Sequence, residues 1–561
     1  MATTYPTYST MVEFFYHWER ETPNNTFLRQ PSGKEWKELT FAEAGQEARK
    51  MATALKEMGL KQGDHIAIFS KNCYHWLLAD IAIMMGGYVS VPLYASLPKH
   101  KLQEVMEISD SKAIFLGKLD DWGDRAQGIP EGVHMVRFPH YPGNAKVDVG
   151  MDWDELVAEH EPQQGSYAPD PDSLWTLMFT SGTTGTPKGV MHLHRTPAQI
   201  LVDEQEDNWL GLGQTKKKKH FSFLPLNHVA ERVAVESASI ASGGSISFVE
   251  NIDTFAQNIQ DTQPSVIFAV PRIWTKFYLG VLEKMPQEKL DRLLKIPIVS
   301  GIVKKKLLKA LGLSDAEVVA TGAAITPAYL KTWYQKLGIH LIEAYGMTEV
   351  CGSIANSPMK DCPPESVGKS IPRGEVKIHP ETGEILMKTP YMMTGYYKEP
   401  ELTNKVLIDG WMHSGDRGSM DAQGYIRVTG RVKDVFKSSK GKFITPNPLE
   451  EVLAENDFVE QVCVAGLGCP QPLALVNLSE IGKKEDPKQV ESSLHQSLTE
   501  LNAKLANYEK VSTLVIDQEL WSQENEMLTP TLKVRRGKLD ETYMQKYVEW
   551  HESPSKIIWH K

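Results

Sequence analysis

Short runs of β-branched and aromatic residues alternate with helical stretches along most of this chain, and that order constrains the fold more than any other feature. HIAIFS (65–70), a helical stretch from Tyr74 to Met85, YVSVPL (88–93), a helix near 99–109 and KAIFLG (112–117) follow one another. The same order returns as SISFV (245–249), a helix from Asp253 to Asp261 and SVIFAV (265–270). It returns again as EVVATG (317–322), a helix after Pro327 and HLIEAYG (340–346). Parallel strands need a crossover, usually a helix, rather than a hairpin. The alternation therefore predicts an α/β fold whose large N-terminal domain has mainly parallel sheets flanked by helices.

A chain of 561 residues exceeds what one core supports. After Gly430 the texture becomes rich in charge and turn residues and poor in apolar periodicity. We divide the chain there, into 1–432 and a small, mobile α+β C-terminal domain, 433–561. The second part carries short strands (459–466, 473–480, 512–516), an amphipathic helix near 487–506 and the tail LTPTLKVRR (528–536).

The formal net charge of -10 argues against a general nucleic-acid binder. Five cysteines without a CxxC pair suit free thiols in a reducing compartment, and neither a zinc site nor a disulfide framework is expected. The N-terminus lacks a basic start followed by an apolar core, so a cytoplasmic protein is expected. The apolar stretch 77–95 contains Asp80, Gly86, Gly87 and Pro92, which suit a buried helix, a turn and a buried strand better than a membrane span.

The segment TSGTTGTPKG (180–189) follows an apolar run and offers hydroxyls, bare backbone and one cation, Lys188. Such a loop suits an anion, because its glycines let backbone N–H groups converge, although a solvated linker has a similar composition. The Walker pattern fails: the residue five after Gly182 is Pro187, and Lys188 is followed by Gly189. The segment closely resembles the phosphate loop of the AMP-forming adenylate superfamily, which includes acyl-CoA synthetases, luciferases and peptide-synthetase adenylation domains.

Further segments carry the same resemblance in order. TGAAITP (321–327) resembles the family's adenine-side segment, with Gly322, Ala323 and Ala324; YGMTE (345–349) ends the next strand. The resemblance implies adenosine contacts from Glu343, Ala344, Tyr345, Gly346 and Met347, an α-phosphate donor in Thr348 and a Mg²⁺ ligand in Glu349. WMHSGDRG (411–418) resembles the ribose segment, with Asp416 facing the ribose hydroxyls; Ser414 stands where Thr is commoner. In GRVKD (430–434), Arg431 would reach ribose or phosphates and Lys433 would be the hinge, where many relatives have Asp. The tail places Lys533 as the catalytic lysine, and Leu532 before it, instead of Gly, points to the long-chain branch.

The implied activity is ATP-dependent activation of a carboxylic acid to acyl-AMP, with release of pyrophosphate, then transfer to CoA. Thr180, Ser181, Gly182, Thr183, Thr184, Gly185, Thr186 and Lys188 would hold the phosphates, with Thr184 and Glu349 on Mg²⁺. FLPLNHVAER (223–232) and AVPRIWTKFY (269–278) resemble long-chain and bubblegum-type synthetases, which puts His228 near the carboxylate and Trp274 at the gate of an acyl tunnel. A long-chain fatty acid is the expected substrate; another acid (aryl, terpenoid), a separate carrier protein as acceptor, and a non-enzymatic nucleotide sensor are the alternatives. Between Lys276 and Lys309 stand nine Lys or Arg against three acidic residues. That excess suits either a solvated helical face or contact with an anionic membrane or CoA, as does KKKK (216–219).

Overall fold

The computed structural model describes residues 6–181, 187–212, 215–357, 362–529 and 533–561, with Ser181 described by its backbone alone. Among the described residues, two large sheets carry the N-terminal part. In the first, eight strands include the parallel set His65–Phe69, Val89–Leu93 and Ala113–Leu116, and Leu174–Ser181 joins beside Val89–Leu93. In the second, nine strands include the parallel run Ser245–Phe248, Lys219–Ser222, Val266–Ala269, Val318–Gly322 and Ile342–Met347. Both repeats of strand and helix expected from the sequence are thus present, and open sheets of this kind bind ligands beyond the carboxyl ends of their strands.

The helix Tyr74–Gly86 explains why a nearly uniform apolar run stays inside the protein. Every residue from Tyr74 to Met85 is buried, as a helix apolar on all sides requires. Gly87 ends it with φ +72°, a left-handed conformation that glycine adopts without a Cβ penalty. The strand Val89–Leu93 follows, buried at all positions. Among the described residues no helix is long and apolar enough to cross a membrane.

Beyond Arg431 the chain forms a two-stranded ribbon and a four-stranded sheet of Val459–Ala465, Leu473–Leu478, Leu514–Asp517 and Ile557–His560. The helix Pro487–Ala503 begins with Asp486, whose carboxylate accepts from the Lys488 amide at 2.9 Å, and with Pro487, which has no amide hydrogen to leave unpaired. Its Val490, Leu494, Leu498 and Leu501 recur at three- and four-residue spacing and pack on that sheet's strands. Opposite them, Leu539, Tyr543 and Tyr547 pack with Cys463, Leu475 and Val515.

The lysines at 216–219 are mostly engaged. Lys217 and Lys219 pair with Asp315 at 2.5 and 2.8 Å, and Lys218 donates to the Ser242 carbonyl at 2.7 Å. All five cysteines are free thiols.

Candidate active site

The phosphate-loop segment is the turn of an antiparallel hairpin. Leu174–Ser181 pairs with Pro187–Leu193, which puts Thr180 opposite Lys188 and Ser181 opposite Pro187. Gly182, Thr183, Thr184, Gly185 and Thr186 lie outside the described residues. The Lys188 ammonium lies 5.5 Å from the centroid of the Tyr396 ring, and the Tyr396 hydroxyl donates to Glu349 Oε1 at 2.7 Å. Tyr396 thus links the expected phosphate cation to the expected metal carboxylate. Register explains the meeting, because Gly395–Tyr396 pairs with Val190 and Met191 on the strand that carries Lys188.

Thr348 and Glu349 follow the strand Ile342–Met347 and are both buried. His192, fully buried on the hairpin strand, meets the Thr348 carbonyl at 2.7 Å through Nε2, so Nε2 carries the hydrogen. Burial pushes the His192 pKa down to about 4, which keeps this brace uncharged at neutral pH. Glu349 is a single buried carboxylate, and no group of three or more His, Cys, Asp or Glu that could hold an ion occurs among the described residues. That donor set fits Mg²⁺, which is usually held by one or two carboxylates together with substrate phosphates rather than by an all-protein cage.

The expected adenine segment joins the same edge. A Cβ on Gly322 would come 2.4 Å from the Ala344 carbonyl, so the adjacent strands pack this closely only with glycine there. Ala323 has φ +63°, a strained conformation for alanine, and Ala324 is exposed just beyond the strand. Gly346 allows a tight pairing too: a Cβ would sit 1.7 Å from the Gly352 carbonyl. Tyr345 and Met347 line the strand end, partly buried. Glu343 is turned elsewhere, accepting from the Thr326 amide at 2.8 Å and from Lys331 at 2.6 Å.

Asp416 is the meeting point of three elements. Its Oδ2 accepts from the Tyr345 hydroxyl at 2.9 Å, and its Oδ1 pairs with Arg431 Nε at 2.8 Å. Ser414 accepts from the Asp416 amide at 3.0 Å and donates to the Ile385 carbonyl at 2.6 Å, which fixes this stretch of the strand Trp411–Met420. Burial raises the Asp416 pKa, opposed by the charges of Arg431 and Lys533 and by the Tyr345 hydrogen bond. Lys433 is exposed in the turn after Arg431.

Lys533 is held by its own turn: its amide donates to the Thr529 hydroxyl at 3.0 Å, and Leu528 bridges to Val534. Pro530, Thr531 and Leu532 lie outside the described residues. Burial and the neighbouring Arg431 charge push the Lys533 pKa down to about 8, with Asp416 pulling it back up. His228 feels the same ammonium: burial first, then Lys533, pushes its imidazole down to about 4. His228 Nδ1 accepts from the Ala230 amide at 3.2 Å, which leaves the hydrogen on Nε2. The C-terminal lysine and residues from three N-terminal segments therefore converge on one locus.

The AMP-binding enzyme profile matches residues 15–397. The chain belongs to the AMP-binding enzyme family. The C-terminal domain profile of AMP-binding enzymes matches residues 433–549. Among curated relatives, the chain is 24% identical to the long-chain-fatty-acid–CoA ligase FadD15 of Mycobacterium tuberculosis, over 94% of each chain. It is 28% identical to fatty acyl-CoA synthetase A of Dictyostelium discoideum, over 91% of this chain and 85% of the relative. Among solved structures, the A domain of carboxylic acid reductase from Segniliparus rugosus superposes with a TM-score of 0.80 at 22% identity, covering 96% of this chain and 94% of that one. The anthranilate CoA ligase AuaEII superposes at 0.78 with 19% identity, covering 96% and 98%. These likenesses show that this AMP-binding enzyme has the expected α/β fold.

Two braces of this AMP-binding enzyme's site were not anticipated from sequence. Tyr396 stands in the sequence MTGYYKEP, remote from every motif used, and His192 lies just past the phosphate loop in an ordinary-looking strand. Trp274, expected at an acyl gate, is fully buried; its indole donates to the Ala269 carbonyl at 3.1 Å, and its ring packs edge-on to Phe277 and Tyr334.

Proposed function

We propose that this AMP-binding enzyme activates a long-chain fatty acid with ATP and transfers the acyl group to CoA. The carrying observation is that Lys533 acts electrostatically on both Asp416 and His228, while Asp416 is bonded to Tyr345, on the strand Ile342–Met347, and to Arg431. The relatives with fatty-acyl names supply the substrate class. A carboxylate oxygen of the acid forms a bond to the α-phosphorus of ATP, and the bond to pyrophosphate breaks. The CoA sulfur then attacks the acyl carbonyl, its proton is lost to solvent, and AMP leaves.

Each residue has a place in this reading. The Lys533 ammonium neutralises charge growing on the α-phosphate and the incoming carboxylate, an electrostatic role that matters most where water is excluded. Lys188, with Thr180, Ser181, Gly182, Thr183, Thr184, Gly185 and Thr186, holds the departing phosphates, and Thr348 donates to the α-phosphate. Tyr345, Gly322, Ala323, Ala324, Ala344, Gly346 and Met347 border the adenine, with Glu343 bracing the segment from behind, and Asp416 and Arg431 meet the ribose. Neutral His228 lies by the acid carboxylate, and Trp274 closes the acyl tunnel. Glu349 and Thr184 would hold Mg²⁺, which supplies charge neutralisation on the phosphates.

The second half needs a thiol where Lys533 stood, so we divide the chain at 432/433 and assign Lys433 as the pivot about which the C-terminal domain turns. The same reading puts the enzyme in the cytoplasm, with the basic stretch 276–309 in peripheral contact with the inner membrane face. Pyrophosphate exchange against a panel of acids tests the proposal, because it reports adenylation and acid choice together. Exchange only with fatty acids is expected; silence with every acid would leave a nucleotide-binding sensor.

A second reading rests on the structural neighbours, an anthranilate CoA ligase in complex with anthranoyl-AMP and the A-PCP didomain of carboxylic acid reductase. It makes the acid aromatic or the acceptor a carrier protein. Direct competition between CoA and a phosphopantetheinyl carrier for acyl-AMP separates the acceptors.

A further inference from the structure

The helix that carries Trp274, Pro271–Lys284, leads through Pro286 into two more helices, Gln287–Leu294 and Pro297–Ala310. One side of this pair belongs to the core: Leu290 is fully buried, and Leu294, Val303, Leu307 and Leu308 pack against the cluster of Trp274 and Tyr334. The other side is unusual. Ile298 is 82% exposed and Ile302 53%, and Ile296 at the helix start is 49% exposed. Lys305, Lys306 and Lys309 continue the Ile298–Ile302 stripe at three- and four-residue spacing, all exposed. The helix Pro297–Ala310 has no fully buried residue at all.

A single exposed isoleucine is ordinary. Three at one helix end, backed by a run of lysines on the same face, is a two-layer surface: an apolar tip and a cationic belt. Among the described residues no carboxylate pairs with Lys305, Lys306 or Lys309; the ion pairs nearby are Arg292 with Glu288 and Lys336 with Asp291. A soluble polyanion would match the lysines but leave the isoleucines in water. A bilayer with anionic headgroups matches both, offering phosphates to the belt and the acyl boundary to the tip. With 14 residues the helix is about 21 Å long, short of the ~30 Å hydrocarbon core, so it lies on the surface.

We propose that this hairpin is a reversible docking surface for an anionic lipid bilayer, with Ile296, Ile298 and Ile302 inserted at the acyl boundary and Lys305, Lys306 and Lys309 against lipid phosphates. It deepens the peripheral contact proposed above and rests on the fatty-acid reading only for its purpose. The surface adjoins the helix of Trp274, so a membrane-dissolved acid would be collected beside the assigned tunnel.

The test is co-sedimentation of the full chain with vesicles of phosphatidylcholine, alone or with about a third phosphatidylglycerol, at about 50 mM and about 500 mM salt. Binding to anionic vesicles at low salt is expected, weakened about tenfold or more by high salt or by omitting the anionic lipid. An Ile298→Ser/Ile302→Ser variant and a Lys305→Ser/Lys306→Ser/Lys309→Ser variant should each lose about tenfold in binding, with unchanged thermal melting and unchanged pyrophosphate exchange on a short, water-soluble acid. Failure of the wild type to bind at low salt, or binding by both variants as tight as that of the wild type, overturns the proposal; loss in the lysine variant alone overturns the inserted tip. Binding without exchange on any acid would sink the enzymatic reading and leave the docking surface standing.

Discussion

Tyr278 donates its phenolic hydrogen to Asp457 at 2.5 Å, across a sequence separation of 179 residues, and so ties the helix of Trp274 to the C-terminal part of the chain. Six residues earlier on that helix, Arg272 pairs with Glu460 at 3.0 Å, with side chains only 15% and 10% exposed. Both contacts hold the C-terminal part where the Lys533 charge acts on Asp416. Tyr278→Phe removes one hydrogen bond and Glu460→Gln the negative charge of one ion pair, each with little change of shape. On the proposed two-step cycle, losing about 1 kcal/mol lowers adenylation about fivefold and leaves thioester formation from supplied acyl-AMP unchanged or faster. Rate constants for the two half-reactions decide this: a parallel drop in both would mark the contacts as merely structural.

Lys533 gives the site a pH dependence with a definite sign. With its pKa at about 8, the ammonium prevails at neutral pH and is lost as pH rises through about 8. Pyrophosphate exchange should therefore fall on the alkaline side from about pH 8. His228, neutral above about pH 4, adds no limb near pH 6.5. Lys533→Ala should slow adenylation by two to three orders of magnitude while sparing thioesterification. Lys533→Arg, protonated throughout, should show a residual rate that is flat to pH 9. An alkaline limb that persists in Lys533→Arg would assign the titration to another group.

How far the fold could be read in advance depended on burial. The strands at 65–70, 88–93, 265–270 and 317–322 are mainly apolar because both faces of a parallel sheet are covered, and that pattern is visible without coordinates. The motifs near Lys188, Thr348, Asp416 and Lys533 were legible because each is a local string. What joins them was not: Tyr396 reaches Glu349 through strand register, and register between distant segments leaves no mark in either one. Arg232 carries no such local mark. It stands in the segment FLPLNHVAER and is wholly buried, against the usual rule that arginine stays at the surface.

The link from Tyr396 to Glu349 separates a metal role from a folding role. Glu349→Gln removes the negative charge but keeps the acceptor for Tyr396, so the turn should survive. Adenylation should fall at least about a hundredfold, and the Mg²⁺ concentration for half-maximal rate should rise. Tyr396→Phe frees the carboxylate from its 2.7 Å partner and should cost less, about three- to tenfold, the loss of about 1 kcal/mol typical of one hydrogen bond. A Mg²⁺ titration of all three proteins checks both statements. An unchanged Mg²⁺ requirement in Glu349→Gln would remove Glu349 from the metal.

The stability of the N-terminal part should depend most on Arg232. Its guanidinium meets Asp80 at 2.7 Å, lies 3.2 Å from Glu236 and donates to Ser90 and Thr176 at 3.2 and 3.4 Å. The Trp76 and Trp175 rings enclose it, with centroids at 5.4 and 4.3 Å. Burial pushes the Glu236 pKa well above the usual carboxylate range while Arg232 opposes it, and Asp80, at 2.7 Å, is the carboxylate nearest the guanidinium. Arg232→Met fills the space between the rings but strands Asp80, and removing one partner of a buried pair costs about 3–5 kcal/mol. Arg232→Lys keeps a charge but loses the planar fork between the indoles, and should fall between. Replacing Asp80 as well, in Asp80→Asn/Arg232→Met, should recover part of the loss because no charge is left without a partner. Urea denaturation followed by tryptophan fluorescence measures all of these. A midpoint for Arg232→Met equal to the wild type, or no recovery in the double variant, would show that the ion pair is not what holds this layer together.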